Sequence, residues 1–137
     1  MTTANPTLTR MNPDSLPDAG SVGYSQITIV EPGRLAWVSG QVAWRRGGGA
    51  IPTTLVEQTT IVLANLRASL DAIGAEPRDI VILRAYMTDL RPETQEVVMT
   101  QLLPFLGSAR PCITAVGVAK LATPELQLEV EMTVRVP

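Results

Sequence analysis

Hydrophobic and polar positions along the chain fall into segments of different period, and each period predicts an element. Ser25 to Val30 alternate, with Ile27 and Ile29 bracketing Thr28, as a half-buried strand does. Glu31-Pro32-Gly33 carries a turn signal, Pro presetting φ and Gly accepting a positive φ. Arg34 to Ser39 (RLAWVS) predicts a second strand in a hairpin with the first. Beyond a bend at Gly40, Gln41 to Trp44 predicts a short third one. Arg45 to Gly49 reads as a flexible loop, because its three glycines lack the Lys and Ser/Thr of a phosphate-binding loop.

Thr54-Leu55-Val56-Glu57 fits a capping box, and from Leu55 through Ile61, Val62, Leu66 and Leu70 to Ile73 the apolar positions recur at helical spacing. Gly74 is the expected stop. Ile80 to Met87 (IVILRAYM) is nearly continuous and β-branched, which predicts a central strand covered on both faces. Pro92 suits the first turn of a second helix, expected to end near Leu103 because Pro104 and Gly107 follow. Cys112 to Val118 predicts a short strand. From Leu126 to Val136 apolar and polar residues alternate strictly, with Glu129 and Glu131 on the polar side. Residues 1–22, with Pro6, Pro13 and Pro17 and no apolar period, predict an irregular arm, and residues 23–137 a single domain.

The order β-β-(β)-α-β-α-β-β, with one apolar stripe per helix, predicts an α+β domain in which two helices lie on one face of a mixed sheet. The other face is assigned Val38, Val42, Ala115, Gly117 and the polar side chains of the last strand. A face so mixed is either solvated or packed against copies of itself.

Composition narrows the chemistry. With 137 residues, 45% of them hydrophobic, the chain suits one domain with a sizeable core. Charged residues interrupt every apolar run, so no membrane-spanning helix is expected, and MTTANPTLTR lacks the apolar region of a secretory signal. Histidine is absent, which removes any imidazole base, and with a single cysteine no protein-held metal is expected. Lone Cys112 forms no internal disulfide, which fits a reducing cytoplasm. A net charge of −2 gives no bulk attraction to nucleic acid.

Several polar residues keep apolar company: Tyr24 and Ser25, then Ser39-Gly40-Gln41, then Arg110-Pro111-Cys112, and Glu129 with Glu131. Pro111 biases Arg110 towards an extended conformation at a strand entrance, and a guanidinium fork suits a carboxylate. Residue type alone leaves open a structural ion pair or a substrate clamp. Cys112, with no histidine to activate it, reads as a small apolar residue, and Glu131 and Arg135 as solvent-facing.

Taken together, Gly23-Tyr24-Ser25-Gln26, LAWVSGQ at Leu35 to Gln41, the Gln58 to Leu70 helix followed by AIGA, DIVILRAYMTD at Asp79 to Asp89, Arg110-Pro111-Cys112 with Thr114 to Val118, and Leu128-Glu129-Val130-Glu131 resemble the Rid (YjgF-like) enamine/imine deaminases, also called the endoribonuclease L-PSP family. The resemblance runs from Gly23 to Arg135. It implies a chorismate-mutase-like α+β fold and a homotrimer with active sites in the clefts between subunits. It further implies hydrolysis of reactive 2-imino or enamino acids to 2-oxo acids and ammonia, without cofactor, metal, nucleic acid or membrane. In that pattern Arg110 binds the substrate carboxylate, backbone groups of Cys112 contact the imine nitrogen, and Glu129 positions the attacking water. Tyr24 and Ser39 line the cleft. Matching LEVE to the family's Ile-Glu-Ile-Glu pattern assigns the acid to Glu129, with Glu131 as the alternative on the same face. The second reading is a non-catalytic trimeric module that binds a small carboxylate metabolite. A ribonuclease is disfavoured by the acidic charge balance and the missing histidine.

Overall fold

The computed structural model describes residues 7–137, so the first six residues of the expected arm lie outside the described residues. Alternation in the last strand, β6 (Leu128–Arg135), organises the domain: Leu128, Val130, Met132 and Val134 are buried and the residues between them are half-buried. Strand β6 runs antiparallel between β3 (Leu35–Gln41) and β4 (Ile80–Met87), and β5 (Cys112–Gly117) pairs parallel with β4, giving the order β3-β6-β4-β5. Helices α1 (Leu55–Ala72) and α2 (Pro92–Leu106) both cover one face of this sheet. Val62, Leu66 and Leu70 from α1 and Val98, Leu102 and Leu106 from α2 meet Leu83, Met87 and the four buried side chains of β6. The spacing of four residues within each set is the stripe that a helix buries.

The Thr54 hydroxyl caps α1, accepting from the Glu57 N–H at 3.2 Å and donating to the Glu57 carboxylate at 2.7 Å. Helix α2 runs past Pro104 to Leu106, three residues beyond the expected end. In the last turn a proline removes only the bond to the carbonyl four residues back, here that of exposed Thr100, and Gly107 N–H closes the helix on Leu103. Among the described residues no helix is long and apolar enough to cross a membrane.

Five further expectations are corrected. The stretch Leu8–Met11, read as part of an irregular arm, is strand β1, and β2 (Ile27–Val30) pairs with it, Leu8 opposite Val30 through Met11 opposite Ile27. The expected β2–β3 hairpin is therefore absent: β3 pairs with β6 in the other sheet. Arg10 explains the ribbon. Its guanidinium donates to the carbonyls of Ile80 (2.6 Å) and Arg78 (3.2 Å) and to Thr28 Oγ1 (2.9 Å), and burial lowers its pKa, with Cys112 and Asp79 opposing. Leu8-Thr9-Arg10-Met11 has no apolar–polar alternation for periodicity to reveal. The turn after β2 is fastened from afar, since Arg135 donates to the carbonyls of Glu31 (3.2 Å) and Pro32 (2.8 Å).

Residues 42–44 continue the chain without forming a third strand, and buried Val42 and Ala43 pack with Ile61 and Leu126 in a smaller cluster. Strand β4 is covered on one face only, because Arg84 is exposed while its neighbours Leu83 and Ala85 are buried. The polar side chains of β6 lie on the uncovered face as expected, but the small and apolar residues assigned to it belong elsewhere. Val38 lies opposite Met132, Ala115 opposite Ala85 and Gly117 opposite Met87, all on the helix side. The uncovered face instead carries Trp37, Ser39, Arg84, Tyr86, Glu129, Glu131 and Thr133, with Trp37 75% exposed.

Candidate active site

Two regions gather the polar residues. The first is a cleft of about 690 Å³ between α2, β5 and the segment around Gly20 to Tyr24. Gln95, Met99, Leu103 and Gly107 repeat every fourth residue along its α2 wall, and Ile113 and Ala115 form the strand wall. Gly23 lets the opposite segment close down: its φ is +102°, and a Cβ there would meet Leu103 Cδ2 at 2.5 Å. Tyr24 follows directly and lines the cleft. The Ser25 N–H donates to the Pro111 carbonyl at 3.1 Å, which ties this segment to the one carrying Arg110.

Arg110 stands where α2 ends. Its Nη1 donates to the carbonyl of Gly107 (2.8 Å), which the end of α2 leaves unpaired, and to that of Ala109 (3.0 Å) just beyond. Nε and Nη2 make no hydrogen bond among the described residues. One nitrogen anchors the fork and the rest of it is available to an anion at the cleft. Cys112 opens β5, but its Sγ lies 3.3 Å from Thr28 Oγ1, turned to the β1–β2 ribbon, so only its backbone is left for the role the family pattern gives it.

The second region is the uncovered sheet face. Ser39 borders a depression of about 210 Å³ with Trp37, Arg84, Glu131 and Thr133. Register slips between Val38 and Gln41, a bulge that brings Gly40 under the Glu129 side chain. A Cβ on Gly40 would fall 1.9 Å from Glu129 Oε1, so the carboxylate rests on a bare Cα. The two acids of β6 then differ. Glu131 accepts from the Tyr86 hydroxyl at 2.5 Å and faces Arg84 Nη1 at 3.9 Å. Glu129 has no hydrogen-bond partner among the described residues. The bond to Glu131, followed by desolvation, holds the Tyr86 hydroxyl above its ordinary pKa.

Tyr24 and Arg110 thus line one cleft, whereas Ser39 shares its depression with Glu131, and Glu129 sits over the neighbouring Gly40. Arg110 lies two residues before Cys112, which is level with Ile82, whereas Glu129 is level with Tyr86 and Val116. Six steps of extended chain from Arg110 to Val116, at ~3.3 Å each, put the backbones of Arg110 and Glu129 about 20 Å apart along the strand direction. The sequence reading did not find the Tyr86–Glu131–Arg84 network or the seat that Gly40 gives Glu129. The SGQ triplet was visible, but the cross-strand partner of its glycine was not.

Similarity to known proteins follows the same outline. Residues 16–136 match the Endoribonuclease L-PSP family. The chain is 31% identical over 108 residues to the RutC family protein YjgH of Escherichia coli, covering 79% of this chain and 80% of that protein. Among solved structures it is similar to YyfB of Yersinia pestis, a protein of unknown function of the conserved Rid protein family, with a TM-score of 0.87, 33% identity and coverage of 94% and 98% of the two chains. It is also similar to RidA from the Antarctic bacterium Psychrobacter, with a TM-score of 0.68, 26% identity and coverage of 82% and 88%. The chain belongs to the Rid/YjgF (endoribonuclease L-PSP) family, and its two helices on a mixed sheet are the fold of that family.

Proposed function

We propose that the protein hydrolyses 2-imino or enamino acids to 2-oxo acids and ammonia, in a homotrimer whose sites are each completed by two copies. The observation that carries this reading is the Arg110 fork: one nitrogen is fastened to helix-end carbonyls, and the remaining donors are free beside a cleft lined by Tyr24. A guanidinium so placed holds a carboxylate bidentately and orients the carbon next to it.

Glu129 supports the other half of the chemistry. An unengaged carboxylate can take a proton from water, whereas Glu131 is occupied by Tyr86. With about 20 Å between Arg110 and Glu129 along the strands of one chain, the acid that serves a given Arg110 comes from a neighbour. Water adds through oxygen to the C=N carbon, its proton passes to Glu129, and the π electrons move to nitrogen. The nitrogen takes that proton back from Glu129 and a second one from the new hydroxyl, the C–N bond breaks to release ammonia, and the oxygen closes to C=O. One imino acid and one water give one 2-oxo acid and one ammonia. The electrophile is already present in the substrate, so general acid–base help of ~10²–10⁴-fold is sufficient chemistry. The family description speaks of an endoribonuclease, yet this chain has no histidine and a net charge of −2, both unfavourable to RNA cleavage.

The test generates imino acids in situ with an amino-acid oxidase and follows ammonia release. Acceleration by the protein is expected. Arg110→Ala should raise KM by about 10–100-fold, the equivalent of losing charge-assisted hydrogen bonds of ~1.5–3 kcal/mol. Ammonia release that runs no faster with the protein present overturns the reading. If 2-oxo acids bind nonetheless, the protein is a carboxylate-binding module.

A further inference from the structure

We infer that the cleft beside Arg110 selects 2-imino acids with a bulky apolar side chain over small or charged ones. The chemistry of this inference rests on the deaminase reading, and its selectivity rests on the cleft alone. Size is the first argument. A volume of about 690 Å³ is in the range that encloses a ligand far larger than a three-carbon acid.

The lining is the second. Arg110 is the one charged residue that borders the cleft among the described residues, and Met99, Leu103, Ile113 and Ala115 present apolar surface to it. A charged side chain laid on these walls loses water and gains no partner from them. Direction is the third. Positions four apart on a helix are about 6 Å apart along its axis. From Gly107, whose carbonyl Arg110 holds, the α2 stripe passes Leu103 at ~6 Å and Met99 at ~12 Å before reaching polar Gln95 at ~18 Å. A substrate with its carboxylate on Arg110 therefore lays a leucine-, methionine- or phenylalanine-type side chain along Leu103 and Met99. The flexible thioether of Met99 adapts to branched and aromatic shapes alike.

The experiment compares kcat/KM of the full chain on imino acids generated from alanine, leucine, phenylalanine and glutamate. Leucine- and phenylalanine-derived imines should exceed the alanine-derived one by at least ~10-fold, since a single methylene in an apolar pocket is worth 10–200-fold. The glutamate-derived imine should be the poorest. Ala115→Ile narrows the strand wall and should lower the leucine-to-alanine ratio. Calorimetric binding of 2-oxo acids of increasing chain length to the unaltered protein gives a second measurement that needs neither turnover nor a variant. Its Kd should fall with each added carbon. Equal kcat/KM across the series, or pyruvate binding as tightly as the longer acids, overturns the inference. Tight binding of long-chain acids with no ammonia released from any imine sinks the deaminase reading while supporting the selectivity of the cleft.

Discussion

On the helix side of the sheet, Leu128, Val130, Met132 and Val134 disappear beneath α1 and α2. On the other side, Glu129, Glu131, Thr133 and Arg135 of the same strand stay half exposed, joined by Arg84, Tyr86 and Trp37. The two faces alternate residue by residue, so the core fixes the position of the polar face. A slip of one residue would bury both carboxylates and expose four large apolar side chains, which makes the register unambiguous. The seat of Glu129 is thereby set by Leu128 and Val130 on either side of it, on a rigid element, as the proposed proton transfer requires.

The sharpest break in this comparison is within the open face, between the free acid and the engaged one. Glu129→Gln keeps the shape and removes the base, so kcat for ammonia release should fall by ~10²–10⁴-fold. Glu131→Gln should leave kcat far closer to the parent value, because that carboxylate is already committed to Tyr86 and Arg84. The reverse ranking would transfer the catalytic role to Glu131 and with it the whole account of the open face.

The helix face should respond in stability instead. Leu66 is fully buried in the main cluster. Leu66→Ala should lower the unfolding free energy by about 2–5 kcal/mol, the usual penalty of lost burial plus the cavity left behind. Urea denaturation reads this directly. Loss of kcat per folded molecule without loss of stability would mean that the division of labour between the faces is wrong.

Much of this division was legible in the chain. Eleven alternating positions announced β6, the capping residues announced α1, and apolar stripes put both helices on one face. The bounds Ile80–Met87 were readable because the run is β-branched and ends at turn residues. What escaped notice depends on partners distant in sequence. Leu8–Met11 is a strand because Arg10 reaches Ile80, about seventy residues away. Val38 and Ala115 were placed on the wrong face because the bulge at Ser39–Gly40 and the parallel register of β5 are not written in local periodicity. The site was legible as residue types at strand mouths. Its division between a cleft on the helix side and the open face, with the backbones of Arg110 and Glu129 about 20 Å apart along the strands, followed only from strand register.

Gly40 probes the bulge itself. Its φ is outside the left-handed region, so alanine is compatible with the backbone, and the nearest obstacle is the Glu129 side chain. Gly40→Ala should displace that carboxylate by an ångström or more and reduce kcat by up to ~10²-fold, the known sensitivity of rates to misplacement of that size. KM, set at Arg110, should change little. Shortening the acid in the double variant Gly40→Ala with Glu129→Asp should recover part of the loss relative to the alanine variant. Absence of any effect of Gly40→Ala on kcat would separate Glu129 from the chemistry.

The smallest expected effect tests whether Glu131 is engaged in solution. Donation to a carboxylate holds the Tyr86 hydroxyl above its ordinary value, and desolvation and neighbouring negative charge add to this. Because the folded pKa is raised, the protonated form is the one that the fold favours. Its contribution to stability is fully present below the unfolded tyrosine value of about 10 and is lost as pH rises through the folded value. Tyr86→Phe identifies the Tyr86 component of a tyrosinate absorbance titration, and Glu131→Gln should lower the midpoint of that component. An unchanged titration in Glu131→Gln would mean that both acids of β6 are equally free, and the contrast between them would rest on Gly40 alone.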